Sequence, residues 1–352
     1  MTRLLALIVA LAAGLSAEAS QERHGVILLY HHVSGDTPPS TSVTPERFEA
    51  HLDYLEEHDF AVWPLHRLLD ASIRGQEAVP ENVVAITFDD AYESVHAEAW
   101  PRLRERGWPF AVFVNTDAVD AGHSPYMDWD QLRVLYENGI TIGNHSAGHG
   151  HLIARSDGEG WREWARRVAS DIDRADRRIA EEIGAEPDLF AYPYGEDSAR
   201  LAAIVGERHD FALAQRSGAV GARTDPLSVP RFPMASGFDD MARFALAVRS
   251  RPLPVVAAEP SPKGDGVRES VDSLVIELAE GGYRLAQLAC YASSGTRLDT
   301  RSEAGPPHRI AIEIGARGST GRNKINCTAP AADGSGDYFW YAFQWVQDAV
   351  RD

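Results

Sequence analysis

The run AITFDDAYES (Ala85 to Ser94) sets two carboxylates, Asp89 and Asp90, side by side at the end of an apolar, β-branched stretch. Further on, GNHSAGHGH follows the apolar ITI and carries His145 and His149 four residues apart. Near the start, VILLY runs directly into His31 and His32. One carboxylate and two imidazoles make a common open site for Zn²⁺ or a similar divalent ion, because three protein ligands leave positions for water and substrate. Asp90, His145 and His149 are candidate ligands, and His151 could trade places with His149. Asp89 would then be free to act as general base on a water at the metal. Adjacent residues of an extended chain face apart, so both carboxylates reach one pocket only if the chain turns at the strand end. The alternative role for one of the pair is to cap the helix that begins near Tyr92.

The elements that must position these groups are legible from periodicity. VILLY, NVVAITF, PFAVFVN and ITIGNHS read as buried strands, followed by the shorter DLFAYPYG and FALAQ. Between them lie helical stretches: PERFEAHLDYLEEHDF behind a Thr44–Pro45 start signal, WDQLRVLYENG stopped by Gly139, and the long GWREWARRVASDIDRADRRIAEEIG. Strand and helix alternate to about residue 250, which predicts a parallel sheet or barrel wrapped by helices. In such folds functional side chains collect at the C-terminal ends of the strands, where all three polar clusters fall. The Pro- and Gly-rich stretch 253–267 reads as a linker. Residues 268–352 then show strand-like runs between turns, which predicts a small antiparallel β domain of sandwich type. There, Trp340, Tyr341 and Trp345 could supply a sugar-binding platform, although strand alternation cannot place all three on one face.

With TFDDA, HSAGH and FAYPYG in that order, the chain resembles NodB-type polysaccharide deacetylases, carbohydrate esterase family 4, over roughly residues 25–252. The resemblance implies an α/β fold, a distorted (β/α)7 barrel, and a metal-dependent hydrolase of amide (carbon–nitrogen) bonds. It implies Asp89 as base and Asp90, His145 and His149 as ligands of a divalent metal, most simply Zn, with Ni, Co or Fe as alternatives. It also implies that the Tyr194 backbone N–H helps hold an oxyanion. Two positions depart from the family pattern: Ala91 stands for a Gly, and Ala191 for the Arg that braces the catalytic Asp. Arg231, in SVPRFPM, is the candidate replacement, its alternative being a surface Arg after a proline turn. The family's last motif, a His after an apolar strand, has no counterpart between His209 and His308. VILLYHHV instead resembles the circularly permuted poly-N-acetylglucosamine deacetylase branch (PgaB and IcaB types), where this strand comes first. On that resemblance His31 is the general acid that protonates the leaving amine.

Residues 1–19 have the layout of a secretory signal peptide: one Arg, an apolar run from Leu4 to Leu15, and Ala17-Glu18-Ala19. The expected location is therefore secreted or periplasmic, without a stable membrane span. The two cysteines, Cys290 and Cys327, suit a disulfide in that setting. A formal net charge of -18 argues against nucleic acid as a partner. The function expected is removal of acetyl groups from N-acetylglucosamine units of a polysaccharide. The alternatives are deacylation of another acylated sugar or small amide, and a non-catalytic carbohydrate-binding protein on the same fold.

Overall fold

VILLY and VVAITF are almost wholly apolar, as strands covered on both faces must be, the hydroxyls of Tyr30 and Thr87 being the exceptions. In the computed structural model, which describes residues 23–262, 267–268, 270–303, 305–315 and 320–347, they become neighbouring parallel strands. The expected signal peptide, residues 1–19, lies outside the described residues. Six strands follow one another in space as they do in sequence: β1 (His24–Tyr30), β2 (Val83–Asp89), β3 (Ala111–Val114), β4 (Thr141–Asn144), β5 (Leu189–Ala191) and β6 (Phe211–Leu213). Each pairs in parallel with the next. The segment after β6 draws the two edges together. Val229 exchanges backbone hydrogen bonds with Ala212 and Ala214, while β7 (Phe232–Pro233) pairs with Leu28 and Leu29 of β1. The sheet is thus strongly curled, with helices packed outside it.

Alternation along the strands sorts side chains to the two faces. Ile27, Ala85, Ala111, Phe113, Leu189 and Phe211 fill one cluster, while Leu28, Tyr30, Ile86 and Phe88 meet the surrounding helices in another. Two of the longest helices are α1 (Pro45–Glu57), capped by the Thr44 side chain, and α2 (Trp129–Glu137), closed at its start by an Asp128–Gln131 capping box. The third, α3 (Trp161–Ile183), buries Trp164, Val168, Ile172, Ala175 and Ile179 along one stripe. His51 on α1, whose helical position suggests a solvated side chain, is instead fully buried. It bonds Tyr30 Oη at 3.0 Å and the Asp239 carbonyl at 2.7 Å, and it stacks on Phe244.

The stretch expected to be a linker is partly a strand. Val255–Ser261 (β8) pairs antiparallel with β9 (Ser273–Leu278). It tolerates Pro260 because β8 lies at the edge of its sheet, where a missing N–H costs little. The rest of this four-stranded sheet is β11 (Asp299–Glu303) and β12 (His308–Glu313); a second sheet centres on β10 (Ala289–Ala292), β13 (Gly321–Pro330) and β14 (Tyr338–Gln347). The two share a core that includes Leu274, Ile276, Ile310, Ile312, Ile325 and Trp345. Cys290 and Cys327 are directly opposed on β10 and β13 and form a disulfide.

The aromatic run of β14 makes no common platform. Trp345 and Phe339 are in the sandwich core, Tyr341 packs against it, and Trp340 turns the other way to meet Phe232 edge-on. The period of two is the cause.

The disulfide closes a loop of 37 residues. Replacing both cysteines by alanine should lower stability by about 2–4 kcal/mol, read as a drop in the denaturant midpoint of the β region.

Candidate active site

The inward register of β1 and β2 carries past their ends. Positions 27 and 85 face inside the curl, so His31 and Asp89 lie on that same face, at the mouth. His32 goes the other way, is buried, and stacks on Tyr92 at 3.5 Å. Burial and the neighbouring His31 push the His32 imidazole down to about 4.

Asp89 and Asp90 would diverge on an extended chain. The backbone prevents this by turning left-handed at Asp90 (φ 73°) and again at Ala91 (φ 57°). Ser146, His149 and Tyr194 also have positive φ (63°, 52° and 57°). Each such non-glycine residue costs on the order of 1 kcal/mol or more, and clusters of them mark sites where geometry outranks comfort. The third strand end is held by less visible residues. The Asn144 side chain accepts from the Ser146 N–H at 2.6 Å and donates to Asp176 and the Ile172 carbonyl of α3. Asp171 takes the N–H groups of Ala147 and Gly148, and Ser146 Oγ takes that of His149. Gly143 is required here, since a Cβ would lie 2.5 Å from the Phe113 ring.

These devices bring three ligand atoms of Asp90, His145 and His149 within 4.8 Å of one another. His145 Nδ1 is 2.7 Å from the Ala191 carbonyl, which fixes the proton there and leaves Nε2 as a bare acceptor. That Nε2 and Asp90 Oδ1 are buried, lie 3.5 Å apart, and lack hydrogen-bond partners among the described residues. Asp90 Oδ1 is also 3.1 Å from His149 Nε2, within ion-pair reach. Burial pulls the His145 imidazole down to about 4. Burial would raise Asp90, but His149 and His145 hold it below the usual carboxylate range. Burial likewise works to lower His149, and Asp90 beside it raises it instead. A buried carboxylate oxygen converging with the bare His145 Nε2 and with His149 Nε2 fits a divalent cation. His151 stands apart from this cluster. It pairs with Glu196 at 2.8 Å and stacks on Tyr194.

Asp89 is fully buried and points to a different partner. Arg231, also fully buried, grips it with two bonds, Nη1 to Oδ1 at 2.7 Å and Nη2 to Oδ2 at 2.8 Å. Arg231 itself is tied to the Ala214 carbonyl at 3.0 Å and reaches Thr87 Oγ1 at 3.3 Å. It is no surface residue. Burial would raise the Asp89 carboxyl, and Arg231, with His145 behind it, holds it below the usual range instead. Asp89 Oδ2 remains 3.9 Å from His145 Nε2, so the free carboxylate borders the ligand cluster.

Gln215 was given no role by its sequence context. Its side-chain amide lies between Asp89 Oδ2 (3.4 Å) and His31 Nε2 (3.5 Å), at the end of β6. The strand-end position was the one available signal. Of the two aromatics in the PYMDW stretch, Trp129 is buried and bonded to Asp120, while Tyr126 packs on Tyr92 next to Asp90.

Residues 76–209 match the family "Polysaccharide deacetylase". A Bacillus subtilis (strain 168) protein, YxkH, whose assignment as a polysaccharide deacetylase is itself provisional, is 31% identical over 124 residues; the match spans 35% of this chain and 42% of that protein. The poly-beta-1,6-N-acetyl-D-glucosamine N-deacetylase of Staphylococcus aureus (strain MRSA252) is 22% identical over 210 residues, 58% of this chain and 71% of the relative. In fold, the chain resembles IcaB from Ammonifex degensii with a TM-score of 0.55 and 23% identity, covering 65% of this chain and 98% of that one.

Two outcomes test the site. Arg231→Met should destabilise the protein by about 3–5 kcal/mol at neutral pH, because it strands a buried carboxylate. That loss should shrink on acidification, as protonation of Asp89 removes the uncompensated charge; urea unfolding at several pH values would show it. Zn²⁺ or Co²⁺ should raise the melting temperature of the wild type in a concentration-dependent way, and the Asp90→Ala/His149→Ala variant should show no such rise.

Proposed function

We propose that this protein, which carries a polysaccharide deacetylase domain of the NodB (carbohydrate esterase 4) type at residues 76–209, is an exported N-deacetylase. Its substrate is an N-acetylglucosamine polymer of the poly-β-1,6 kind, the class named for the Staphylococcus aureus relative. The observation that carries this reading is the division of labour between adjacent carboxylates. Asp90 faces His145 and His149, whereas Asp89 at the border of that cluster is gripped by Arg231, which keeps it ionised. Export rests on the leader-like residues 1–19; among the described residues no helix is long and apolar enough to cross a membrane.

A divalent ion, Zn²⁺ in the simplest case, held by Asp90, His145 and His149 would supply Lewis-acid polarisation of the acetamide carbonyl and acidify a water. Asp89 accepts the proton as the water oxygen bonds to the carbonyl carbon. Arg231 keeps the Asp89 carboxylate oriented and anionic until that moment. The Tyr194 backbone N–H, on a loop held in left-handed conformation, donates to the developing oxyanion. His31 then gives a proton to the nitrogen as the carbon–nitrogen bond breaks. The products are acetate and a glucosamine unit. The exposed Tyr194 ring and the Tyr92–Tyr126 pair offer apolar faces beside the mouth for a sugar ring.

Metal-loaded protein should release acetate from poly-β-1,6-N-acetylglucosamine oligomers and leave free amines. Asp89→Asn should lose activity by about 10²–10⁴-fold while still binding metal, and His31→Ala should lose it with little change in KM. Release of acetate from O-acetylated sugars alone would redirect the assignment to an ester substrate.

A further inference from the structure

β13 and β14 present two different faces. Ile325, Cys327 and Ala329, with Phe339 and Trp345, fill the sandwich core. The intervening positions meet the curled sheet at its mouth. Arg322 Nη1 donates to the Tyr194 carbonyl and, at 3.2 Å, to Gln215 Oε1. Lys324 Nζ donates to the Gln215 carbonyl at 2.5 Å. Gln344 Nε2 donates to the Gly195 carbonyl at 2.6 Å and to Asp197. The loops being held touch each other, since a Cβ on Gly195 would lie 2.3 Å from that of Gln215.

The bond from Arg322 to Gln215 sets a direction. A guanidinium only donates, so it claims the amide oxygen and turns the NH₂ toward Asp89 and His31. A flipped amide would set NH₂ against guanidinium and oxygen against carboxylate. Both cations are also expensive where they sit. Arg322 and Lys324 are half-buried, and of the two only Arg322 has carboxylates, Glu196 and Asp197, acting on it from nearby. Burial, reinforced by Arg322 and Arg216, draws the Lys324 ammonium down to about 7. Neutral donors would dock the two units at lower cost.

We propose that the C-terminal sandwich is part of the catalytic apparatus: Arg322 and Lys324 are positioning residues that fix Gln215, and through it the working geometry of Asp89 and His31. The inference rests on the deacetylase reading for its kinetic consequence, and on the contacts alone for its structural one.

The test uses the full chain, as wild type, Arg322→Ala, Arg322→Lys, Gln215→Leu and the Arg322→Ala/Gln215→Leu double variant. Arg322→Ala should lower kcat about tenfold, leave KM within a factor of two, and shift the pH profile of kcat. Arg322→Lys, which keeps a donor, should recover most of the loss. The double variant should lose less than the product of the two single losses, because both substitutions disturb the same Gln215 amide. Independent losses that multiply, or a wild-type kcat in Arg322→Ala, would overturn the proposal. If Arg322→Ala does not fold, Gln215→Leu and Lys324→Met, with the same kcat and pH readouts, carry the test. Hydrogen exchange of peptides covering 190–197 and 211–217 separates this inference from the function assigned above. Faster exchange in Arg322→Ala supports the brace whether or not acetate is released. Unchanged exchange rejects it even in an active enzyme.

Discussion

The buried Arg231–Asp89 pair is the constraint around which the mouth is organised. A carboxylate with no solvent contact survives as an anion only beside a matching cation, and a bidentate guanidinium is the best match available. Such a pair contributes little net stability, since desolvation offsets most of its attraction. Its value here is positional. Arg231 comes from the segment that closes the curl between β6 and β1, so closure of the sheet and orientation of Asp89 are one event.

With Asp89 occupied, Asp90 is left to face the two histidines. The left-handed turn at Asp90 and Ala91 makes this possible, and the surrounding structure must over-determine it. Asn144 and Asp171 do the same for the loop bearing His145 and His149, using side-chain acceptors for backbone N–H groups that no strand or helix satisfies. The ligand cluster is thus built on rigid strand ends, with its own supporting hydrogen bonds.

The sandwich bears on this centre because a strand has two faces. A two-residue period gives β13 a core side and a side free to carry Arg322 and Lys324 onto the barrel loops. The same rule rules out an aromatic platform on β14: Phe339 and Trp345 are committed to the core and Trp340 to the interface with Phe232.

Local pattern alone determined the parallel strands and the residues with chemistry at their ends. Apolar runs covered on both faces and helices between them admit few other arrangements. Asp89, Asp90, His145 and His149 were legible because ligand types and spacing are written in short contiguous motifs. Arg231 was legible only as a candidate, since a lone Arg after a proline looks the same at the surface and in the core. What only the tertiary structure decided are the long-range bonds. Gln215 lies 126 residues from Asp89, and Arg322 lies 107 from Gln215, so no periodicity links them. The same holds for the burial of His51 and for the strand at Val255–Ser261, where pairing overrode a composition typical of linkers. Sequence encodes which side chains face together within an element. Which elements then meet depends on how the sheet curls and on which faces remain to be buried.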